Sequence, residues 1–130
     1  MIGLDTTAII DLFKKDARIR KIIEESKEDI SSSIINYQEI MFGLDFHNPK
    51  HKMEEGFYDN FFDKIFLFSL DKNSAKKASE IFFDLQKKGE NIEKLDSMTA
   101  GIFLINGVNK IITKNIKHFE KIPGIEVISY

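Results

Sequence analysis

Apolar runs too short to be helices alternate along the chain with stretches whose apolar residues recur at helical spacing. Met1-Ile2-Gly3-Leu4, Ile30 to Ile35, Ile65 to Leu70, Val108 to Thr113 and Ile125 to Ile128 read as strands, the last entered through the Pro123-Gly124 turn. Between them, Ile9, Ile10 and Phe13, then Ile19, Ile22 and Ile23, then Ile40, Phe42, Gly43 and Leu44 fall on helix faces. Ala75, Ala78, Ile81, Phe82 and Leu85 form the clearest amphipathic stripe, which Gly89 should stop after Lys87-Lys88. A last long helix is expected from about Leu95 to Asn106, ending at Gly107. The stretch Phe46 to Lys52, with Pro49, reads as a loop between helices.

Strands alternating with helices imply right-handed crossovers, and hence a parallel sheet covered by helices on both faces. The expected class is α/β, three-layered, with four to five parallel strands. The chain of 130 residues is the size of one domain, and with no repeat or linker visible the expectation is a single unit spanning 1–130.

Composition narrows the function. The absence of cysteine excludes disulfides, thiolate zinc sites and cysteine nucleophiles, and a reducing cytoplasm is the default expectation. No apolar run reaches the roughly 18 residues of a membrane span, and Met1 to Asp5 does not open like a signal peptide, so no membrane association is expected. With 19 basic against 21 acidic residues the net charge is -2, which leaves no global positive field; contact with nucleic acid would have to be a local patch. Gly43, Gly56 and Gly89 stand alone, so no phosphate-cradling glycine loop is present.

In an open parallel sheet, ligands bind at the carboxyl ends of the strands. Asp5 closes the first strand, Asn36 to Glu39 follow the second, and Thr113 and Asn115 follow Ile111-Ile112; Asp96, near the start of its helix, would point into the same crevice. Each has an ordinary structural explanation. Asp5 would cap the helix that begins at Thr6-Thr7, Asn36 and Glu39 have capping-box spacing, and Asp96 and Asn115 would be N-caps. The combination carries more than its parts, because carboxylates gathered at one sheet edge repel unless a cation neutralises them. An oxygen-only site suits Mg²⁺ or Mn²⁺ rather than zinc, and such an ion activates water and steadies charge on a phosphate.

Taken in order, Leu4-Asp5-Thr6, Ser33-Ile34-Ile35-Asn36-Tyr37-Gln38-Glu39-Ile40 with Gly43, Lys88-Gly89, Asp96-Ser97-Met98-Thr99-Ala100, and Ile112-Thr113-Lys114-Asn115 with His118-Phe119 resemble VapC-type PIN-domain toxins over essentially the whole chain. The resemblance implies a parallel sheet flanked by helices, dependence on Mg²⁺ or Mn²⁺, endonucleolytic cleavage of RNA, homodimers and inhibition by an antitoxin protein. Its invariant acids map onto Asp5, Glu39 and Asp96, and its fourth polar position onto Asn115. Many relatives have aspartate there; an amide brings no charge, which favours one metal over two. The expected mechanism is attack of metal-activated water on an RNA phosphate, with Asp5 and Asp96 as ligands and Glu39 acting through water or orienting the nucleophile. Thr113 would hold Asp5 or the phosphate. Lys114, Lys117 and His118, with Lys14, Lys15 and Arg18 after the first helix, are the candidates for substrate backbone.

Other features are read as structural. His47 and His51 have the spacing of two ligands on a helix, but Pro49 between them argues against a metal site. Phe57, Phe61, Phe62, Phe66 and Phe68 read as packing, partly at a dimer or antitoxin surface, rather than base stacking. Two functions compete with the ribonuclease: a Mg²⁺-dependent phosphoryl-transfer or phosphatase-like α/β domain, against which Asp5 lacks a paired acid, and a non-catalytic PIN module that binds a partner.

Overall fold

The apolar runs become five strands: β1 (Ile2–Leu4), β2 (Ile30–Ser33), β3 (Phe66–Phe68), β4 (Lys110–Ile112) and β5 (Glu126–Ile128). The computed structural model describes residues 1–130. The helices are α1 (Thr6–Phe13), α2 (Ala17–Ser26), α3 (Ile34–Phe42), α4 (Pro49–Phe62), α5 (Lys72–Lys87), α6 (Lys94–Ile105) and α7 (Ile116–Phe119). All strand pairings are parallel and the order is β3-β2-β1-β4-β5. The chain steps outward from β1 to β3, then crosses back to lay β4 on the other side of β1. That reversal between β1 and β4 opens the crevice in which open α/β sheets bind ligands.

Side chains alternate across the sheet and divide the interior in two. Ile2, Leu4 and Ile112 point to one side and pack with Ala8, Ile9, Ile19, Ile40 and Phe62. Ile111 points to the other and packs with Ile81, Leu85, Ala100, Phe103 and Phe119. Gly3 faces that second side, where a Cβ would stand 2.9 Å from the Phe103 ring, so the aromatic ring occupies the room glycine leaves. β2 is an unusually polar central strand. It is tolerated because Ser31 and Ser32 donate to the carbonyls of Ile2 and Leu4 at 3.1 and 2.8 Å, and no buried side-chain polar atom anywhere lacks a partner.

Helix ends follow local chemistry. Gly89 and Gly107 adopt φ of +74° and +75° just past α5 and α6. At each, the following amide reaches back to the helix: Glu90 N–H to the Leu85 carbonyl and Val108 N–H to that of Phe103. Both stops therefore work as the sequence suggests. The α5–α6 contact is close because Gly101 lies against the α5 backbone, where a Cβ would be 2.8 Å from both Ala78 N and Ser74 O.

Two expectations are corrected. Pro49 does not mark a loop; it is the first residue of α4, where a missing N–H costs nothing, and Asn48 caps the helix by accepting from Lys50 N–H at 3.0 Å. The strand expected over Ile30 to Ile35 ends at Ser33, and Ile34 and Ile35 belong to α3. Ser33 is an N-cap whose side chain and that of Asn36 exchange bonds with each other's backbone, which outweighs the strand preference of two β-branched residues. No helix is long and apolar enough to cross a membrane.

Candidate functional site

Asp5 leaves β1 and caps α1, and both of its oxygens are engaged. Oδ1 accepts the Thr7 hydroxyl at 2.7 Å and Ala8 N–H at 3.0 Å; Oδ2 accepts the Thr113 hydroxyl at 2.5 Å from the tip of β4. A carboxylate oxygen offers about two acceptor positions, so Oδ1 is filled and Oδ2 has one left. Thr113 is fully buried, and its Oγ1 also accepts Asn115 N–H at 2.8 Å, while Lys114 N–H donates to Thr7 Oγ1 at 3.0 Å. The tips of β1 and β4 are thereby laced into one unit. Asn115 stands at the cap position of α7 without a side-chain cap bond, leaving its amide uncommitted to the helix.

Glu39 does not take part in a capping box. The box is formed by Ser33 and Asn36, and Glu39 lies in the middle of α3, half-buried, with Oε1 accepting the Thr6 hydroxyl at 2.7 Å. Nor is Asp96 an N-cap: Glu93 holds that position without a cap bond, and Asp96 sits within the first turn of α6. Its Oδ2 faces His118 Nδ1 at 2.8 Å. Local capping explains Asp5 in part, and explains neither Glu39 nor Asp96.

The acids sense one another. Burial is the main force that pushes the Asp5 carboxyl up, opposed by the Thr113, Ala8 and Thr7 bonds and reinforced by the charge of Asp96. Burial likewise raises Glu39, opposed by Thr6 and assisted by Asp96, Asp5 and Glu93. Asp96 is raised by burial and by Glu93, and His118 pulls the other way. Three carboxyls made reluctant to ionise by desolvation and by a neighbouring acid would be relieved by a cation.

No group of three such side chains closes into a ready-made metal cage. What the residues offer is one open acceptor position on Asp5 Oδ2, Glu39 Oε2 and Asp96 Oδ1, all oxygen. That donor set fits a hard ion of the Mg²⁺ type, which keeps most of its water and takes one or two carboxylates directly.

The basic candidates scatter. Lys114 turns away from the acids: its Nζ pairs with Asp11 at 2.7 Å, and Asp11, buried and also accepting from Tyr130 at 2.7 Å, is held below the usual carboxylate range chiefly by that lysine. Arg18 is committed to Asp16 at 2.7 Å. Lys14, Lys15 and Lys117 are exposed. His118 stands between Asp96 and solvent, its side chain 43% exposed. His51 accepts Asp45 N–H through Nδ1 at 2.9 Å, and so closes the turn before α4. Of the aromatic run, Phe61 and Phe62 meet edge to face at 5.5 Å and Phe62 is buried, whereas Phe57 and Phe66 are exposed.

Sequence reading named Thr6, Thr7 and Asn36 only as cap or strand-tip residues and gave them no part in holding the acids, and it passed over Glu93, which adds charge. The Thr6-Thr7 pair beside Asp5 was the available signal.

A PIN domain model matches residues 2–125. The chain is similar to one in the crystal structure of VapBC2 from Rickettsia felis bound to a DNA fragment from its promoter, at 21% identity and TM-score 0.85, with 100% of this chain and 99% of that one covered. It is similar also to one in DNA-bound VapBC from Salmonella typhimurium, at 24% identity and TM-score 0.84, covering 98% and 96%. VapC20 of Mycobacterium tuberculosis, described as a sarcin-ricin loop cleaving toxin, is more distant at 15% identity and TM-score 0.61, covering 85% and 87%. No curated protein matches the chain at a significant level. With the family model spanning nearly the whole chain, and with Asp5, Glu39 and Asp96 brought to the crevice edge of a five-stranded parallel sheet, the chain belongs to the PIN-domain family.

Proposed function

We propose that this PIN domain is a Mg²⁺- or Mn²⁺-dependent endoribonuclease, the toxin of a toxin–antitoxin pair. The observation that carries the reading is geometric: Asp5, Glu39 and Asp96 are held by Thr113, Thr6 and His118 and each keeps an open oxygen position, and burial with a neighbouring acid raises all three carboxyls. Carboxyls raised by burial and by a neighbouring acid are relieved by a cation, which supports a cation-binding role.

Asp5 and Asp96 are the assigned ligands, each held by a partner on its own oxygen, Thr113 for the first and His118 for the second. A cation held there would supply a water made nucleophilic near neutral pH and positive charge against the scissile phosphate. Glu39 orients the attacking water or ligates through one. Thr113 fixes Asp5, and Asn115 offers an amide oxygen to the outer shell without charge, in keeping with one metal. Lys117 and the exposed edge of His118 would meet phosphate, and Lys114 would do so only by leaving Asp11. The proposed setting is the cytoplasm, where an RNA substrate and an antitoxin would both be met.

Two apolar grooves on opposite helical layers support two protein contacts, a second copy and an antitoxin. One is lined by Ile10, Phe13, Phe57 and Tyr58 between α1 and α4, and Phe57 is 60% exposed. The other is lined by Ala75, Ala78, Phe82, Phe83 and Met98 between α5 and α6, and Phe83 is 55% exposed. Phe57→Glu and Phe83→Glu should each abolish one association, self-association or antitoxin binding, and spare the other, as read by sedimentation and pull-down of the co-expressed antitoxin. Loss of neither would remove this assignment.

The function is tested by incubating single-stranded and structured RNA with the protein in Mg²⁺ or Mn²⁺, with and without EDTA, beside DNA and a small phosphomonoester. Internal cleavage of RNA that EDTA stops is the expected result. Cleavage that survives EDTA overturns the metal, and hydrolysis of the phosphomonoester alone favours the phosphatase-like class.

A further inference from the structure

Glu39 is held by a chain of hydrogen bonds whose direction is fixed at its far end. Asn36 is buried, 2% exposed, and its Oδ1 faces Ser33 Oγ at 2.6 Å and the Ser33 backbone N–H at 3.4 Å. A backbone N–H only donates, so the atom opposite it must be the amide oxygen, and the amide nitrogen is left facing Thr6 Oγ1 at 3.2 Å. That nitrogen also only donates. Thr6 must therefore accept from Asn36, and its single proton goes to Glu39 Oε1 at 2.7 Å. Every link runs one way, from the backbone at the tip of β2 through Asn36 and Thr6 to one chosen oxygen of Glu39.

The chain also spans elements. Ser33 ends β2, Asn36 and Glu39 belong to α3, and Thr6 opens α1 next to Asp5. A carboxylate on a side chain with three torsions is thus tied both to its own helix and to the neighbour of the first acid, and Oε2 accepts nothing within the protein.

We propose that Thr6 and Asn36 are positioning residues of the hydrolytic site, a one-way relay that holds Glu39 by Oε1 and leaves Oε2 as the working oxygen. This rests on the nuclease reading. Its chemistry is orientation alone: no proton is transferred along the relay, and neither residue touches substrate.

The test compares Thr6→Val, which removes the hydroxyl at similar volume, with Thr6→Ser, which keeps it, in steady-state cleavage of single-stranded RNA with Mn²⁺. Thr6→Val should lower kcat by about 10- to 100-fold, the usual cost of losing a partner of a metal-site group. KM should stay within about twofold, because the loss falls on the chemical step rather than on ground-state binding. Thr6→Ser should recover kcat to within about threefold of the unsubstituted protein. In a Glu39→Gln background, Thr6→Val should cost nothing further, since the relay acts only through Glu39. Should Thr6→Val fail to fold, Thr6→Ala serves as the second hydroxyl-free variant. Full kcat in the hydroxyl-free variant, a Thr6→Ser protein as slow as it, or an added loss on top of Glu39→Gln would each overturn the proposal. If the unsubstituted protein cleaves no RNA, the nuclease reading fails by itself, and crystal structures still decide the relay. A Glu39 carboxylate displaced in Thr6→Val and in place in Thr6→Ser supports it; one unmoved in Thr6→Val overturns it.

Discussion

Each acid has its own holder, and the holders differ in what they demand. Thr113 is buried and serves two partners, donating to Asp5 Oδ2 and accepting from Asn115 N–H. Thr113→Val leaves both without a partner, so stability should fall by about 1–3 kcal/mol in urea denaturation. RNA cleavage should fall with it, by about 10- to 100-fold. A variant of unchanged stability and rate would show that the link between the β1 and β4 tips is dispensable. Glu39 gives a pH-dependent prediction. Its carboxyl is raised in the folded protein, chiefly by burial, so the folded state holds the proton over a window where the unfolded chain has lost it. Its contribution to stability is therefore present at low pH and is lost as pH rises from the ordinary carboxylate range through the raised value. Glu39→Gln keeps an acceptor for Thr6 and cannot ionise. In metal-free buffer its stability advantage over the unsubstituted protein should grow with rising pH across that window and then level off, as followed by urea midpoints from about pH 4 to pH 8. A pH-independent difference would contradict the raised carboxyl. At this scale Asp5 was visible in one dimension, as a polar residue directly after an apolar strand, whereas Glu39 and Asp96 lie inside α3 and α6 and were singled out by the family resemblance. Of their holders, Thr113 was visible just past β4, and Thr6 was not: it lies 33 positions from Glu39, and nothing in the chain announces a hydroxyl that reaches across two elements.

Among the elements, the strands and the α5 and α6 stops were readable because their signals are local: short β-rich runs, and glycine just past an amphipathic stripe. The start of α3 was misread because Ile34 and Ile35 favour strand while the reciprocal capping bonds of Ser33 and Asn36 decide for helix. Pro49 was misread because the same residue breaks a helix inside and begins one at its first position. The depth of the α5–α6 contact was invisible altogether, since Gly101 in a helix reads only as a propensity penalty. Its Cβ would meet α5 backbone at 2.8 Å, and backbone cannot rotate away. Gly101→Ala should cost about 1–3 kcal/mol from overpacking, against which at most about 1 kcal/mol returns as helix propensity. The expected result is a lower urea midpoint at unchanged slope; a midpoint that rises would mean the helices separate freely.

For the whole molecule, the order β3-β2-β1-β4-β5 is what turns scattered polar residues into a site. The reversal between β1 and β4 sets Asp5 beside Thr113, and α3 and α6 bring Glu39 and Asp96 to the same edge. The parallel class could be read from the alternation of elements. The strand order could not, because periodicity says nothing about which strands are neighbours; it is the structure that supplies it. The basic residues show the opposite outcome. Lys114 follows a strand tip in sequence but spends its charge on Asp11. In the proposed function, capacity for RNA would therefore rest on the acids and a bound cation more than on fixed positive charge. Its central claim is tested most directly by the rate of internal cleavage of end-labelled single-stranded RNA at saturating Mn²⁺, for the unsubstituted protein, Asp5→Asn and Asp96→Asn. The prediction is cleavage by the first and a loss of at least about 100-fold in each variant, on the scale of removing a group that stabilises the reacting phosphate. Cleavage at the full rate by both variants would contradict it.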